Sequence, residues 1–128
     1  DELLEPTRIY VRSVRAVLRH YRVKHVIGGI AHITGGGLLE NVPRVLPEGC
    51  AVELDPSRWK RPPIFDLVQT LGSVPDDEMY RTFNMGVGMV LIAAPYYAGN
   101  VLRRLRRAGE EAVIIGRVVQ GDRRVTLC

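Results

Sequence analysis

The chain has 128 residues, 46% hydrophobic and 25% charged, with 18 Lys and Arg against 14 Asp and Glu for a net charge of +4. Such a chain can bury a core without disulfide or metal support, and its mixture excludes a disordered or fibrous protein. No apolar run approaches the ~20 residues of a membrane span, the start Asp1 to Glu5 is acidic where a signal peptide is basic, and the lone Cys50 and Cys128 fit a reducing cytoplasm.

Taken in chain order, a first helix is predicted from near Thr7, with Tyr10, Val14, Val17, Leu18 and Tyr21 as its apolar stripe. Val23 to Ile27 reads as a short strand or extended approach, and Gly28-Gly29 breaks the chain before a strand ending in His32. Thr34-Gly35-Gly36-Gly37 then leads into Leu38, Leu39, Val42, Val45 and Leu46, which share a helical face. Pro43 divides that unit into a short helix ending near Asn41 and a further turn from Val42. Ala51 to Leu54 is a brief strand, and Asp55 to Pro63 a polar connection holding the only tryptophan, Trp59. Ile64, Leu67, Val68 and Leu71 mark a helix entered from Pro63 and ended by Gly72, and acidic Asp76-Asp77-Glu78 opens another that runs to about Thr82.

Val87 to Ala94 is apolar on both faces and predicts a central strand covered on each side. After Pro95, Tyr97, Val101, Leu102, Leu105 and Ala108 give the next helix its stripe, and Gly109 closes it. Ala112 to Val119 is a further strand, which Gln120-Gly121-Asp122-Arg123 turns back as a hairpin towards Val125 and Leu127. The sum is an α/β (α+β) fold, a mixed β-sheet packed with helices in a single compact domain over residues 1–128.

Three consecutive glycines remove every β-carbon from the loop after His32, so its amides can approach a ligand closely, and the free N–H groups at the helix start favour an anion such as phosphate. The pattern is neither Walker A nor GxGxxG, and a plain turn that lets strand and helix pack closely is the other reading of the same residues. An imidazole titrates near neutrality, which suits His32 to proton transfer or to polarising a carbonyl; a histidine held by backbone hydrogen bonds at a strand end is the alternative. Asn84 offers both donor and acceptor beside Gly86 and Gly88, for a ligand or simply to cap a turn. His20, His25 and His32 fall at no ligand spacing and neither CxxC nor HExxH occurs, so no metal site is expected in these residues.

Arg8, Arg12, Arg15, Arg19 and Arg22 recur at helical spacing, and Arg103, Arg104, Arg106 and Arg107 crowd a second helix. Aromatic stacking platforms are not interleaved among them, so a solvated face is expected rather than a nucleic-acid surface.

The run Ala31-His32-Ile33-Thr34-Gly35-Gly36-Gly37-Leu38-Leu39-Glu40-Asn41-Val42-Pro43-Arg44-Val45-Leu46-Pro47, followed by Trp59, Pro63-Ile64-Phe65 and Glu78 to Met89, resembles the C-terminal domain of the phosphoribosylformylglycinamidine cyclo-ligases, or aminoimidazole ribonucleotide synthetases. The likeness extends from about Leu4 to Leu127. It implies an ATP-dependent ring closure in purine biosynthesis, in which the formyl oxygen of formylglycinamidine ribonucleotide is activated by phosphoryl transfer before an amidine nitrogen attacks that carbon. On this resemblance His32 is the catalytic candidate, and Thr34, Gly35, Gly36, Gly37 and Asn84 are candidates for holding substrate or phosphate. ATP and Mg2+ are expected to bind mainly through an N-terminal domain outside these residues, in a cytoplasmic homodimer without nucleic-acid or membrane partners. This chain alone is expected to fold but not to catalyse. Selenophosphate synthetases, thiamine-monophosphate kinases and hydrogenase maturation factors carry a related loop, with an acidic residue or other substitutions where this chain has His32 and Gly35 to Gly37.

Overall fold

In a computed structural model, which describes residues 4–128, the chain builds one mixed three-stranded sheet and a separate two-stranded ribbon, with helices against both. The ribbon pairs β1 (Ile27–His32) antiparallel with β3 (Met89–Ala93), in a register that sets Ile30 opposite Leu91 and His32 opposite Met89. In the three-stranded sheet β2 (Cys50–Leu54) lies in the middle, antiparallel to β4 (Gly116–Gln120) and parallel to β5 (Val125–Leu127).

The helices are α1 (Val11–His20), α2 (Gly37–Asn41), α3 (Pro63–Gly72), α4 (Asp76–Thr82) and α5 (Ala98–Arg107); of the expected α3 stripe Leu67 and Leu71 are exposed, and a 3-10 turn at Pro43–Val45 continues α2 as Pro43 requires. The main core gathers Ala31, Ile33, Leu38, Val42, Val52, Leu54, Met79 and Met85. A smaller cluster of Val17, Val26 and Val101, backed by Tyr21 and Tyr97, ties α1 to α5. Burying such side chains contributes on the order of 2 kcal/mol each before entropy is counted.

Four expectations are corrected. The first helix begins at Val11 rather than near Thr7, because residues 5–9 have no apolar face to bury; Arg8 instead reaches the end of α5, pairing with Glu110 at 2.9 Å and donating to Gly109 O at 3.1 Å. Leu18 drops out of the buried stripe, 44% exposed, and Ser13 takes a buried place with its hydroxyl donating to Glu110 Oε1 at 2.6 Å. Val23 lies in no strand and is almost fully exposed, whereas Gly28-Gly29 sits inside β1 at an irregularity in the ladder. A Cβ on Gly29 would lie 3.3 Å from both Ile92 Cδ1 and Val45 O, so this glycine admits close packing instead of breaking the strand.

The third correction concerns β3, which has one partner, β1, and is half-buried along its length, so it is not a strand enclosed on both edges. The fourth concerns the final hairpin. Only Gly116 onward is strand, and β4 and β5 do not pair with each other, because β2 lies between them. Gly121 N donates to Gly49 O at 3.0 Å and Arg123 N to Cys50 O at 2.7 Å, carrying the 120–123 turn around the start of β2. The nearly buried Val52 and Leu54 thereby gain backbone partners on both edges of their strand.

Candidate functional site

The ladder between β1 and β3 brings the two glycine-bearing stretches together. Beyond the last paired residues, Ile33 N donates to Gly88 O at 2.9 Å, which sets the loop Thr34–Gly37 beside the turn Asn84–Gly88. Gly37 locks this arrangement. It is buried with φ +57°, and a Cβ there would overlap the Tyr80 carbonyl oxygen and approach Phe83 O to 2.6 Å, so only glycine lets the loop lie against the end of α4.

The three glycines therefore do different work. Gly37 N donates to Thr34 O at 3.0 Å, so its amide is committed within the loop. The amides of Gly35 and Gly36 have no acceptor among the described residues, and around a Cβ on Gly35 there is open space. Gly36, at φ +97°, lies under Glu40, whose Oε2 would be 2.6 Å from a Cβ built on that glycine. Since α2 spans five residues, its dipole is slight, and the exposed peptide groups carry whatever anion affinity the loop has.

A residue without an assigned role in the sequence reading holds this loop in shape. Asn41 is 5% exposed, and its Nδ2 donates to the carbonyls of Thr34 (3.2 Å), Gly35 (3.2 Å) and Gly37 (2.9 Å). Thr34 Oγ1 donates in turn to Asn41 Oδ1 at 3.4 Å, with Thr34 itself exposed. Orienting three loop carbonyls towards one buried carboxamide frees the intervening amides for the other side. The signal was present: Asn41 is a polar residue next to Val42 and three after Leu38, on the face that builds the core.

His32 is exposed at the end of β1, with its ring edge-on to Tyr10 at 6.2 Å between centroids. The Tyr10 hydroxyl lies over Gly88, where a Cβ would overlap it. Burial pushes the Tyr10 phenol above its ordinary value, with Arg8 pulling the other way and Glu110 adding to the rise. The phenol thus stays neutral beside the imidazole through the physiological range.

Asn84 caps its own turn: Oδ1 accepts from Gly86 N at 2.9 Å and the backbone carbonyl from Val87 N at 2.9 Å. Met85 and Gly86 are both left-handed, at φ +53° and +95°, and the buried Met85 anchors the turn in the core. Trp59 Nε1 donates to Met85 O at 3.0 Å and Pro62 packs over Gly86, so the connection at residues 55–63 braces the turn from outside. The Asn84 carboxamide N–H groups have no acceptor among the described residues. What assembles is a surface with an imidazole, two unpartnered loop amides, a threonine hydroxyl and a carboxamide donor, bordered by one carboxylate. Such a set can orient a polar ligand and exchange a proton with it. Among the described residues no group of three or more His, Cys, Asp or Glu could hold a metal ion.

The model for the C-terminal domain of AIR synthase related proteins matches residues 1–127. Proteins named phosphoribosylformylglycinamidine cyclo-ligase are similar: that of Trichlorobacter lovleyi is 55% identical over 92% of this chain and 33% of its own length, and that of Pseudothermotoga lettingae 48% over 99% and 36%. The chain thus spans about a third of these curated relatives. Among solved structures, E. coli HypE, a hydrogenase maturation protein, superposes with a TM-score of 0.61 over 87% of this chain and 34% of its own, at 21% identity, a likeness of fold. With the matched stretch running through His32, the glycine loop and the Asn84 turn, the chain belongs to the AIR synthase related family, as its C-terminal domain.

Proposed function

We propose that this chain is the substrate-orienting C-terminal part of an ATP-dependent cyclo-ligase that converts formylglycinamidine ribonucleotide to aminoimidazole ribonucleotide. One observation carries the reading: the β1–β3 pairing seats His32, the Thr34–Gly37 loop and the Asn84 turn on one surface, in a chain 55% identical to a protein named for that reaction. ATP, held with magnesium elsewhere in the complete protein, would supply the phosphoryl group that makes the formyl oxygen a leaving group. The amidine nitrogen then attacks the activated carbon, phosphate departs, and ADP is the other product.

On this chain the amides of Gly35 and Gly36, with the Thr34 hydroxyl, grip a phosphate oxygen of the substrate at the open side of the loop. His32 polarises the reacting amide and carries the proton released on ring closure. Asn84 donates to the substrate through its unpartnered carboxamide N–H. Glu40 packs over one side of Gly36 and repels an anion on that side, which confines the phosphate to the open side of the loop by Gly35 and gives the substrate one orientation. Positioning and charge complementarity are what such a transfer asks of the protein.

His32→Ala in the complete protein tests the central role. Turnover is expected to fall by about 10²- to 10⁴-fold, the range for loss of a general acid or base, with the fold intact because the side chain is exposed. Unchanged turnover removes His32 from the mechanism. The 128-residue chain alone, given substrate, ATP and magnesium, is expected to yield no product, and turnover by it would overturn the proposed division of labour.

A further inference from the structure

Away from the glycine loop, the C-terminal end of α1 and one face of α5 enclose a cleft of about 550 Å³. Its walls carry Arg19, Arg22 and Lys24 on one side and Arg103, Arg104 and Arg107 on the other, over Tyr21 and Tyr97. In sequence these are two arginine runs far apart, Arg19 and Arg22 in one and Arg103 to Arg107 in the other, each consistent with a solvated face; the fold turns them towards the same space.

Three of the cations in this cleft are held by partners other than carboxylates. Arg104 Nη2 donates to His20 Nε2 at 2.8 Å and lies over the Tyr21 ring at 6.0 Å, while Lys24 Nζ donates to Tyr97 Oη at 3.1 Å. Arg103 donates to Asn100 Oδ1. Among the described residues none of the six basic side chains forms an ion pair, and neither α1 nor α5 contains an Asp or Glu. Elsewhere the chain does pair its arginines, as in Arg8 with Glu110 and Arg61 with Asp66, both at 2.9 Å. Like charges converging on one concave space raise its potential and concentrate anions there.

We propose that the cleft between α1 and α5 binds a small polyphosphate of the nucleoside triphosphate class, at a site separate from the glycine loop. Guanidinium groups on both walls match phosphate oxygens by fork-like donation, and the volume suits one nucleotide better than an extended strand. Tyr97, held by Lys24 and edge-on to Tyr21 at 5.7 Å, offers a ring against which a base can rest.

Calorimetric titration of the full chain with sodium triphosphate, and with ATP in EDTA, tests this. Saturable one-to-one binding is expected, weakened about tenfold by the exposed double substitution Arg103→Gln, Arg107→Gln and by less than about twofold in Arg117→Gln, Arg124→Gln, which removes equal charge off the cleft. Tighter binding of ATP than of triphosphate supports a base on Tyr97, and equal binding supports a site that reads phosphate alone. The proposal is overturned by absence of saturation, by equal weakening in the two double variants, or by an oligonucleotide binding more tightly than triphosphate with an affinity that rises with its length. None of these outcomes bears on turnover after His32→Ala, so the two readings fail separately.

Discussion

The glycine loop and the α1/α5 cleft present polar groups to solvent by opposite means. At the loop the donors are peptide amides, made available by omitting side chains and fixed by Asn41 from beneath and by Gly37 against α4. At the cleft the donors are long cationic side chains projecting from two helices that share a small cluster around Val17, Val26 and Val101. Their difference teaches where precision resides. A backbone-built surface is as rigid as the core under it, so changes there register as lost stability, whereas a side-chain-built surface can lose a cation and stay folded.

The sharpest test of that contrast is Gly37→Ala. Its Cβ would overlap Tyr80 O at a positive φ, and a loss of about 4 kcal/mol is expected in urea unfolding, with Gly35→Ala within about 0.5 kcal/mol because it faces open space. Similar effects from both would dissolve the distinction between the packed and the open glycine. Asn41→Ala comes next. Removing one carboxamide takes a buried donor from three loop carbonyls, and about 2 kcal/mol of destabilisation is expected, a value near zero indicating that the loop holds its shape without Asn41.

The smallest effect is expected at the cleft. Raising salt from about 0.05 M to about 0.5 M screens its unpaired cations and should stabilise the chain by about 0.5 kcal/mol, read as a rise in Tm. In Arg103→Gln, Arg107→Gln that rise should shrink. An equal rise in the variant would show that the cleft cations do not repel one another in the folded chain.

Much of this molecule was legible in the sequence. The α2 and Pro43 unit, α3 from Pro63, α4 from its acidic start and α5 up to Gly109 follow from periodicity, proline placement and helix-end chemistry, which act within a few residues. The glycine loop and the Asn84 turn were also visible as stretches. Their individual duties were not, because the commitment of the Gly37 amide and the buried reach of Asn41 depend on α4 and on the loop closing over itself. The final hairpin failed for the same reason: turn residues specify a reversal, but the insertion of β2 between β4 and β5 is decided by a strand more than 60 residues away.

What the chain's order of residues determined by itself was local and repetitive: which segments coil or extend, where they stop, and which two stretches carry chemistry. Tertiary structure alone decided that those stretches are neighbours, that one glycine packs while another faces open space, and that arginines far apart in the chain surround one cleft. The physical reason is range. Dihedral preference and amphipathic period act over one or two turns, whereas strand pairing and burial choose partners only once the whole core has closed.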